Sequence, residues 1–362
     1  MLDYLKFYLA PLVQVIGGVG IYMGGNYMWA GLATLPILAI LDTVLSDNFE
    51  KRNMHNRLIA DIPLVITALL GIGLLFLLAW KISVTPDLTT LQMVGGALSL
   101  GWLGTVASLP ATHELFHEIN PIRVAIGIVG QFAFFDVSRH ISHNNGHHLD
   151  VASSLDADTA KRGENIYKFA VETGWQNHKE SFRLEAEALK KRGKSPWSLS
   201  NFMYRAVLIL VVLYSGIYYV GGETGLLYVL LAQGVARLWI EGLNYFQHCG
   251  LIRVNHAPIQ HYHVWNHLKP ISRVITFEIT NHCDHHQDAF MPYYEMTPDK
   301  DSVRLPGALT CFAVALIPPI WFNFILKPAL KEWDNRFAND EEKELARAAN
   351  KAAGWEDWIE KK

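Results

Sequence analysis

Histidines are the residues of this sequence whose type and spacing point most directly to chemistry. The chain has 16 histidines against 31 lysines and arginines, and most of them fall into short clusters. Imidazole nitrogens are common ligands of Fe, Zn, Cu and Ni ions. Two histidines four residues apart on a helix point the same way, so both can reach one ion. Clusters with this spacing therefore predict a metal centre.

Four clusters have the spacing of metal ligands. They read HELFH, HNNGHH, the final histidine of EGLNYFQH, and HCDHH. Their nine histidines are His113, His117, His143, His147, His148, His248, His282, His285 and His286. A zinc site takes about three or four protein ligands, so nine ligands predict two metal ions. Imidazole alone does not select the metal.

Polar residues near these clusters are candidates for orienting the ligands. A metal-bound imidazole usually donates its second ring N–H to a carboxylate or a carbonyl group. The candidate acceptors are Glu114, Glu241, Asn244, Glu278 and Asp284, together with Asp136, Asp156 and Asp158. His140 could replace one ligand, and proton transfer is an option for His256, His261, His263 and His267. We expect no catalytic side chain beyond the metal centre.

The first cluster also matches the HExxH motif of zinc peptidases. In that motif both histidines bind zinc and the glutamate, here Glu114, acts as the general base. This interpretation leaves seven of the nine histidines without a role. A zinc intramembrane peptidase stays open as an alternative, and a metal transporter is less favoured because the predicted ligands gather at one face.

The composition excludes several other classes of protein. Hydrophobic residues make up 51% of the chain and charged residues only 18%, against about 25% charged in soluble domains. The net charge of -3 gives no basic field, which argues against nucleic acid as a partner. The three cysteines form no CxxC pair, so a disulfide scaffold and a zinc ribbon are excluded.

The apolar residues predict an all-α integral membrane protein with six transmembrane helices. Crossing a bilayer takes about 20 apolar residues, and the predicted spans cover residues 5–24, 27–46, 60–80, 89–110, 205–221 and 225–246. Residues 121–135 are too short to cross, and residues 307–326 are interrupted by two prolines. We expect both to form interfacial or re-entrant helices.

The distribution of basic residues predicts the orientation. Three tight connectors, Gly24–Tyr27, Lys81–Leu88 and Gly221–Gly225, contain a single lysine between them. The opposite side carries the basic stretch Lys161–Lys194. By the positive-inside rule, that side is cytoplasmic, together with both termini and the histidine clusters.

We expect the whole chain, residues 1–362, to form one domain. Its cytoplasmic catalytic portion would comprise residues 111–204 and 247–362. The C-terminal tail from Lys331 to Lys362, rich in Glu, Lys and Ala, predicts a solvated amphipathic helix.

The histidine clusters and the residues around them resemble a known family. The order HxxxH, HxxxHH, NYFQH, HxxHH is similar to the integral-membrane di-iron hydroxylases of the alkane monooxygenase family, and more loosely to membrane fatty-acid desaturases. The stretches LDADTAKRGENIYKF, SPWSLSN, EGLNYFQHCGL, EITNH and AANKAAGW resemble the branch that hydroxylates methyl groups of xylene and p-cymene. The resemblance extends from residue 1 to about residue 357.

This resemblance implies a cytoplasmic-face centre of two non-haem irons held by all nine clustered histidines. It also implies O₂ as cosubstrate and hydroxylation of an aromatic methyl group, as in xylene, toluene or p-cymene, to a benzylic alcohol. Phe116 and Gln247 depart from the alkane hydroxylases, which carry a glycine and an acidic residue at these places. An alkane terminal hydroxylase and a membrane lipid desaturase or hydroxylase remain alternatives.

Electrons for O₂ must come from elsewhere. No GxGxxG motif follows a strand pattern, and no four-cysteine cluster is present, so we expect no flavin, haem or NAD on this chain. The resemblance implies an NADH-dependent reductase with flavin and a 2Fe–2S centre, docking on the basic stretch or the C-terminal tail. It also implies a bacterial inner-membrane location. Four glycines of the fourth span leave room for a substrate tunnel or allow close helix packing: Gly95, Gly96, Gly101 and Gly104.

Overall fold

Long apolar helices form the first third of the chain. The computed structural model describes residues 1–360, and this range contains helices but no β-strand beyond one bridge between Asn266 and Arg304. The first four helices are α1 (Leu2–Met23), α2 (Gly25–Val44), α3 (Arg57–Val84) and α4 (Thr90–Phe116). With a rise of about 1.5 Å per residue, each can cross a hydrocarbon core of about 30 Å. The all-α prediction is confirmed.

The next four elements lead from the membrane helices to the histidine clusters and back. They are α5 (Pro121–Ala133), α6 (residues 139–150), α7 (Ile166–Lys191) and α8 (Phe202–His248). Helix α8 completes the set of five that are long and apolar enough to cross a membrane within residues 1–360. It covers both segments predicted at residues 205–221 and 225–246.

Helix α8 is broken at Gly222, inside the predicted connector. This residue has φ 62° and ψ -166°, in a region that only glycine adopts readily. On the first arm Ala206 packs beside Phe132, and on the second arm Gln233 Nε2 donates to the Ala133 carbonyl at 2.9 Å. Both arms therefore lie beside the end of α5, which means that the chain reverses at Gly222.

The glycines of α4 serve close packing. A Cβ on Gly101 would lie 2.7 Å from Val235 Cγ1 on α8, and one on Gly104 would lie 2.4 Å from the Phe134 ring. Similar contacts surround the other two candidate glycines, Gly95 and Gly96. Of the two predicted roles for these residues, the structure supports helix packing and leaves no free space beside them.

The last part of the chain is a series of short helices. They are α9 (Pro270–Ile275), α10 (His282–Gln287), α11 (Ala308–Ala315), α12 (residues 318–336) and α13 (Asp340–Ala352). The prediction of one amphipathic helix from Lys331 was wrong, because Asn339 caps a new helix by accepting from Glu342 N at 2.9 Å. Residues 361 and 362 of that prediction lie outside the described range.

A buried arginine ties the C-terminal helices to the loops beside the histidine clusters. The Arg162 guanidinium donates to both Asp334 carboxylate oxygens, at 2.6 and 2.7 Å. It also donates to Asn350 Oδ1 at 2.8 Å and to the Gly250 carbonyl at 3.0 Å. Arg162 therefore joins the loop after α6 to the end of α8 and to helices α12 and α13.

Candidate metal centre

The first histidine cluster ends helix α4. Pro110 occupies the first turn of a helical segment that starts after a wider, π-helical turn at Gly104–Ser108, and such turns often occur at functional sites. His113 and His117 lie one helical turn apart, with ring centroids separated by 4.7 Å. Both are buried. The helix thus runs past the predicted end at residue 110 and carries the cluster itself.

The second cluster forms a π-helical turn in α6. The turn His143–His147 is wider than an α-helical one, so His147 and His148 both stay close to His143. The ring centroids lie 4.9 Å apart for His143 and His147 and 4.5 Å apart for His143 and His148. This explains physically how an HxxxHH sequence directs all of its histidines inward.

The third and fourth clusters meet each other. His248 ends α8, and its Nε2 lies 2.7 Å from His282 Nε2 on α10. The Nε2 of His286, one turn further along α10, lies 3.1 Å from that of His282 and 3.3 Å from that of His248. Helices α8 and α10 therefore direct these rings at a common point.

The predicted histidines converge into two groups of four. In each group, the ligand nitrogens lie within 4.8 Å of one another. The His113 group consists of His113, His117, His143 and His285, and the His248 group consists of His147, His248, His282 and His286. His148 lies between the groups, with its ring centroid 4.7 Å from that of His285 and 4.6 Å from that of His286.

The unpartnered nitrogens of these groups fit metal ions. Among the nine clustered histidines, four buried Nε2 atoms have no hydrogen-bond partner within residues 1–360, those of His117, His147, His148 and His285. A neutral imidazole carries one proton and one lone pair, so converging Nε2 atoms cannot all satisfy each other. A cation in each group would accept these lone pairs, and imidazole suits iron, zinc, copper and nickel.

Burial keeps most of the ligands outside the long helices neutral. It lowers the pKa of five histidines, and neighbouring histidines lower it further: His143, His148, His282, His285 and His286. The neutral form is the one that binds metal. Burial also acts to lower the pKa of His147, but the Asp156 and Asp158 carboxylates together outweigh it, and the pKa of His147 is raised.

The His248 group has an outer layer of hydrogen-bond acceptors. His147 Nδ1 lies 2.9 Å from Asp156 Oδ2, and Asp156 also accepts from Thr159 Oγ1 at 2.6 Å. His248 Nδ1 donates to the Asn244 carbonyl at 3.0 Å, and His282 Nδ1 donates to the Ile279 carbonyl at 3.0 Å. Each bond directs the Nε2 lone pair of its ring toward the centre of the group.

Two of the predicted acceptors bind backbone N–H groups instead of metal ligands. Glu114 Oε1 accepts from Tyr293 N at 2.9 Å, and Asp284 Oδ2 accepts from Thr297 N. Neither carboxylate accepts a hydrogen bond from an imidazole within the described chain. The side chain of Asn244 donates to Glu241 at 3.1 Å, so only its backbone carbonyl reaches a ligand.

Two further predicted acceptors, Glu278 and Glu241, bind buried arginines. Glu278 accepts from Arg52 and Arg273, each at 2.6 Å. Glu241 accepts from Arg139 at 2.7 Å and from Arg237. Because Arg139 belongs to α6 and Glu241 to α8, this ion pair fixes the second cluster relative to the third. No sequence pattern pointed to Arg139.

The remaining histidines lie outside the two groups. His263 Nε2 lies 2.8 Å from Glu342 Oε1, and His267 Nδ1 donates to the Pro306 carbonyl at 2.6 Å. His140 packs against the Phe202 ring, and burial lowers its pKa to about 4. His256 is exposed and His261 partly so.

A small cavity with an apolar wall and a polar wall lies where α4 and α8 approach the histidines. Its apolar wall is formed by Leu109 and Pro110 of α4 and by Ile240 and Leu243 of α8. Ligands from both groups line it as well: His113, His143, His248 and His282. A small apolar molecule in this cavity would be in reach of both groups.

Comparisons with known proteins agree with this arrangement. The fatty acid desaturase family model matches residues 88–304. The chain is 40% identical to the xylene/toluene monooxygenase hydroxylase component of Pseudomonas putida, over 99% of this chain and 98% of that protein. It is 28% identical to alkane 1-monooxygenase 1 of Alcanivorax borkumensis, over 90% of this chain and 83% of that protein. An alkane 1-monooxygenase of Pseudomonas putida is also 28% identical, over 88% and 83%.

Proposed function

The chain belongs to the family of integral-membrane monooxygenases that includes the xylene/toluene and alkane enzymes, and we propose that it hydroxylates a methyl group on an aromatic hydrocarbon. The substrate would be of the xylene, toluene or p-cymene type and the product a benzylic alcohol, with O₂ as cosubstrate. The observation that carries this proposal is the convergence of two buried histidine groups beside a cavity with an apolar wall.

The histidines would hold two non-haem irons. The His113 group would bind one ion and the His248 group the other, and His148 would complete either. When bound, the irons supply the activation of O₂ that allows a C–H bond to be oxidised. The hydrogen bonds from His147, His248 and His282 keep these three rings in the tautomer that presents Nε2.

The cavity would bind and orient the substrate. Leu109, Pro110, Ile240 and Leu243 offer apolar contacts to a ring, and the same residues exclude water from the site. A benzylic C–H bond is weak because the ring stabilises the radical that remains when hydrogen leaves. The cavity therefore only has to direct the methyl group toward the histidines.

The reaction needs electrons, because one oxygen atom enters the product and the other leaves as water. A separate electron-transfer protein would deliver them, and we propose an NADH-dependent reductase with flavin and a 2Fe–2S centre. The exposed basic residues of α7 and the loop after it, including Lys190, Lys191 and Lys194, are a candidate docking surface.

We propose six membrane crossings in a bacterial inner membrane. Helices α1 to α4 would each cross once, and the two arms of α8 would cross twice because the chain reverses at Gly222. An even number of crossings leaves both termini on one side, which the positive-inside rule assigns to the cytoplasm. The metal centre would lie at that face, in a single domain.

Reconstitution tests the proposed function. Membranes that contain the chain and an NADH-dependent reductase should convert p-xylene to 4-methylbenzyl alcohol, and omission of the reductase should abolish the product. The purified chain should contain two irons. As a control, His55→Ala changes an exposed histidine far from both groups in sequence and should behave as wild type.

The products distinguish the alternatives. If the chain oxidises n-octane to a terminal alcohol in preference to oxidising p-xylene, this would indicate an alkane hydroxylase. An alkene formed from a lipid acyl chain would indicate a desaturase. One zinc per chain, with no iron, would indicate a peptidase and contradict the proposal.

A further inference from the structure

Helix α7 exposes an apolar stripe in addition to a buried face and a charged face. Tyr167, Val171 and Trp175 follow one another at intervals of four residues, so they lie on one side of the helix. Their exposed fractions are 56%, 64% and 62%. A contiguous apolar surface that is exposed in this way marks a site of contact with a protein or a membrane.

The other two faces of α7 have evident partners. On the buried face, Asn177 Nδ2 donates to Asp158 Oδ1 at 2.7 Å, which ties the helix to the loop after α6. On the charged face, Lys168 Nζ lies 3.8 Å from Glu172 Oε1, and both side chains are exposed to water. Successive helical residues are turned by about 100°, so the charged face lies directly beside the apolar stripe. Only the stripe lacks a medium suited to it.

The contacts between α7 and α8 give the level of α7 relative to the proposed bilayer. A Cβ on Gly174 would lie 3.3 Å from Arg237 Nη2 on the second arm of α8. At the start of the first arm, Phe202 N donates to Glu185 Oε1 at 3.0 Å. Arg237 and Phe202 lie about 22 and 30 Å along the arms from the reversal at Gly222. Because a hydrocarbon core is about 30 Å thick, α7 lies close to its boundary on the side of the metal centre.

The stripe continues into apolar surface that the C-terminal part of the chain exposes. Tyr167 Oη donates to the Leu316 carbonyl, between α11 and α12, at 2.7 Å. Just beyond it, the side chains of Ile317, Ile320 and Phe324 are exposed as well. The sequence predicts an interfacial or re-entrant helix for these residues. The apolar stripe of α7 is therefore one part of a wider apolar surface near the membrane boundary.

We propose that α7 lies in the plane of the membrane, with Tyr167, Val171 and Trp175 inserted among the lipids of the cytoplasmic leaflet. This inference rests on the proposed crossings of α8, and it gives the stripe one partner, the lipid bilayer. Tyrosine and tryptophan are enriched at this depth. Lys179 Nζ lies 5.0 Å from the centre of the Trp175 ring, so its charge can stay at the headgroups while the ring is in lipid.

Spin labels on the full chain in lipid nanodiscs test this arrangement. The three native cysteines are buried, so one added cysteine carries the label. Labels on Val171→Cys and Trp175→Cys should collide often with O₂, which concentrates in lipid, and rarely with a water-soluble nickel chelate. The corresponding depth is about 5–10 Å into the boundary between headgroups and acyl chains, as for other helices that lie in the membrane plane.

The matched controls are Glu172→Cys and Gln176→Cys. Each lies one residue after a stripe position and is exposed, so the label faces the charged side of the same helical turn. Both labels should collide often with the nickel chelate and rarely with O₂. Frequent nickel collisions at all four positions would overturn the proposal.

A label on Val211→Cys separates this inference from the proposed crossings. Val211 lies on the first arm of α8 and is 54% exposed, so its label should report lipid. Lipid at Val211 with water at Val171 would overturn the inference alone. Water at Val211 would refute the crossings and the inference with them. A chain that hydroxylates no arene but gives the expected label pattern would refute the proposed activity and keep the inference.

The same labels distinguish the bilayer from a protein partner. If the stripe binds the reductase, the Val171 label should be open to the nickel chelate in the chain alone and become shielded when the reductase is added. That result would overturn the proposal. Under the proposal, the Val171 label is shielded from the start, and addition of the reductase leaves its collision rates unchanged.

Discussion

The two histidine groups differ in how the protein holds their rings. In the His248 group, the Nδ1 atoms of His147, His248 and His282 each have an acceptor, namely Asp156 or a backbone carbonyl. In the His113 group, no Nδ1 hydrogen bond is present within residues 1–360, and the Nδ1 of His143 is buried without a partner. Oriented ligands bind metal more tightly. The comparison therefore predicts two sites of unequal affinity, with the looser one at the end of α4.

Removal of a ligand from either group should have the largest effect. His143→Ala and His282→Ala should each abolish hydroxylation and lower the iron content to roughly half, because each variant spares one group of four ligands. Iron analysis and product assays on purified protein measure both quantities, with His55→Ala as the control. Full activity in either variant would remove that histidine from the ligand set.

The iron that remains in these two variants should differ in its affinity. His143→Ala keeps the anchored His248 group, so its remaining iron should resist a chelator better than that of His282→Ala. Equal resistance to the chelator in both variants would contradict the predicted difference in iron affinity between the two groups.

Chelation of the wild-type protein should reveal the same asymmetry without any mutation. We expect iron to leave in two phases, with affinities that differ by about 10–100-fold, the usual effect of an outer hydrogen bond to a ligand. Iron content and Mössbauer spectra during the titration separate the phases. Release in a single phase would mean that the outer hydrogen bonds do not distinguish the sites.

The Asp156→Asn substitution should make the two sites more alike. Its carboxylate accepts from His147 Nδ1 at 2.9 Å and opposes the effect of burial on that ring. We expect iron affinity at the His248 group to fall by about tenfold or more, while the first chelation phase stays unchanged. Asp301→Asn, at an exposed carboxyl group, is the matched control. Loss of affinity confined to the first phase would reverse the assignment of the two phases.

Glu114→Gln should have the smallest effect of the series. Glu114 lies between the two α4 ligands, but its Oε1 accepts from Tyr293 N, and a glutamine oxygen can still do so. We expect unchanged iron content and a loss of less than about 1 kcal/mol in the free energy of unfolding. A tenfold loss of iron would show that this carboxylate orients a ligand in the His113 group.

The long apolar segments and the histidine spacing predicted much of the fold. Hydrophobic runs of helical length identified α1 to α4 and both arms of α8, because a bilayer demands such runs. The one-face spacing within each cluster predicted that its histidines would lie together, and eight of the nine belong to the two groups of four. The break before Pro318 and the reversal at Gly222 were also visible as residues that disrupt a helix.

The sequence could not predict the hydrogen bonds around the metal ligands or the division of the ligands between the two histidine groups. The π-helical turn at His143–His147 sends neighbouring histidines to different groups, and no sequence pattern encodes that turn. Glu278 forms an ion pair with Arg52, which lies 226 residues away in the chain. Asp156 reaches His147 only because the loop after α6 folds back. Each of these contacts depends on long-range packing, which local spacing does not report.

The hydrogen bonds of Arg162 to Asp334 and Asn350 have a consequence for biosynthesis. A nascent chain releases all of its long apolar helices and every histidine ligand before Asp334 leaves the ribosome, yet Asp334 and Asn350 hold the loop next to the metal centre. Domains form as their parts emerge during synthesis. A chain truncated before Asp334 should therefore insert into the membrane normally and still fail to mature, which would make Asp334 and Asn350 necessary for metal loading.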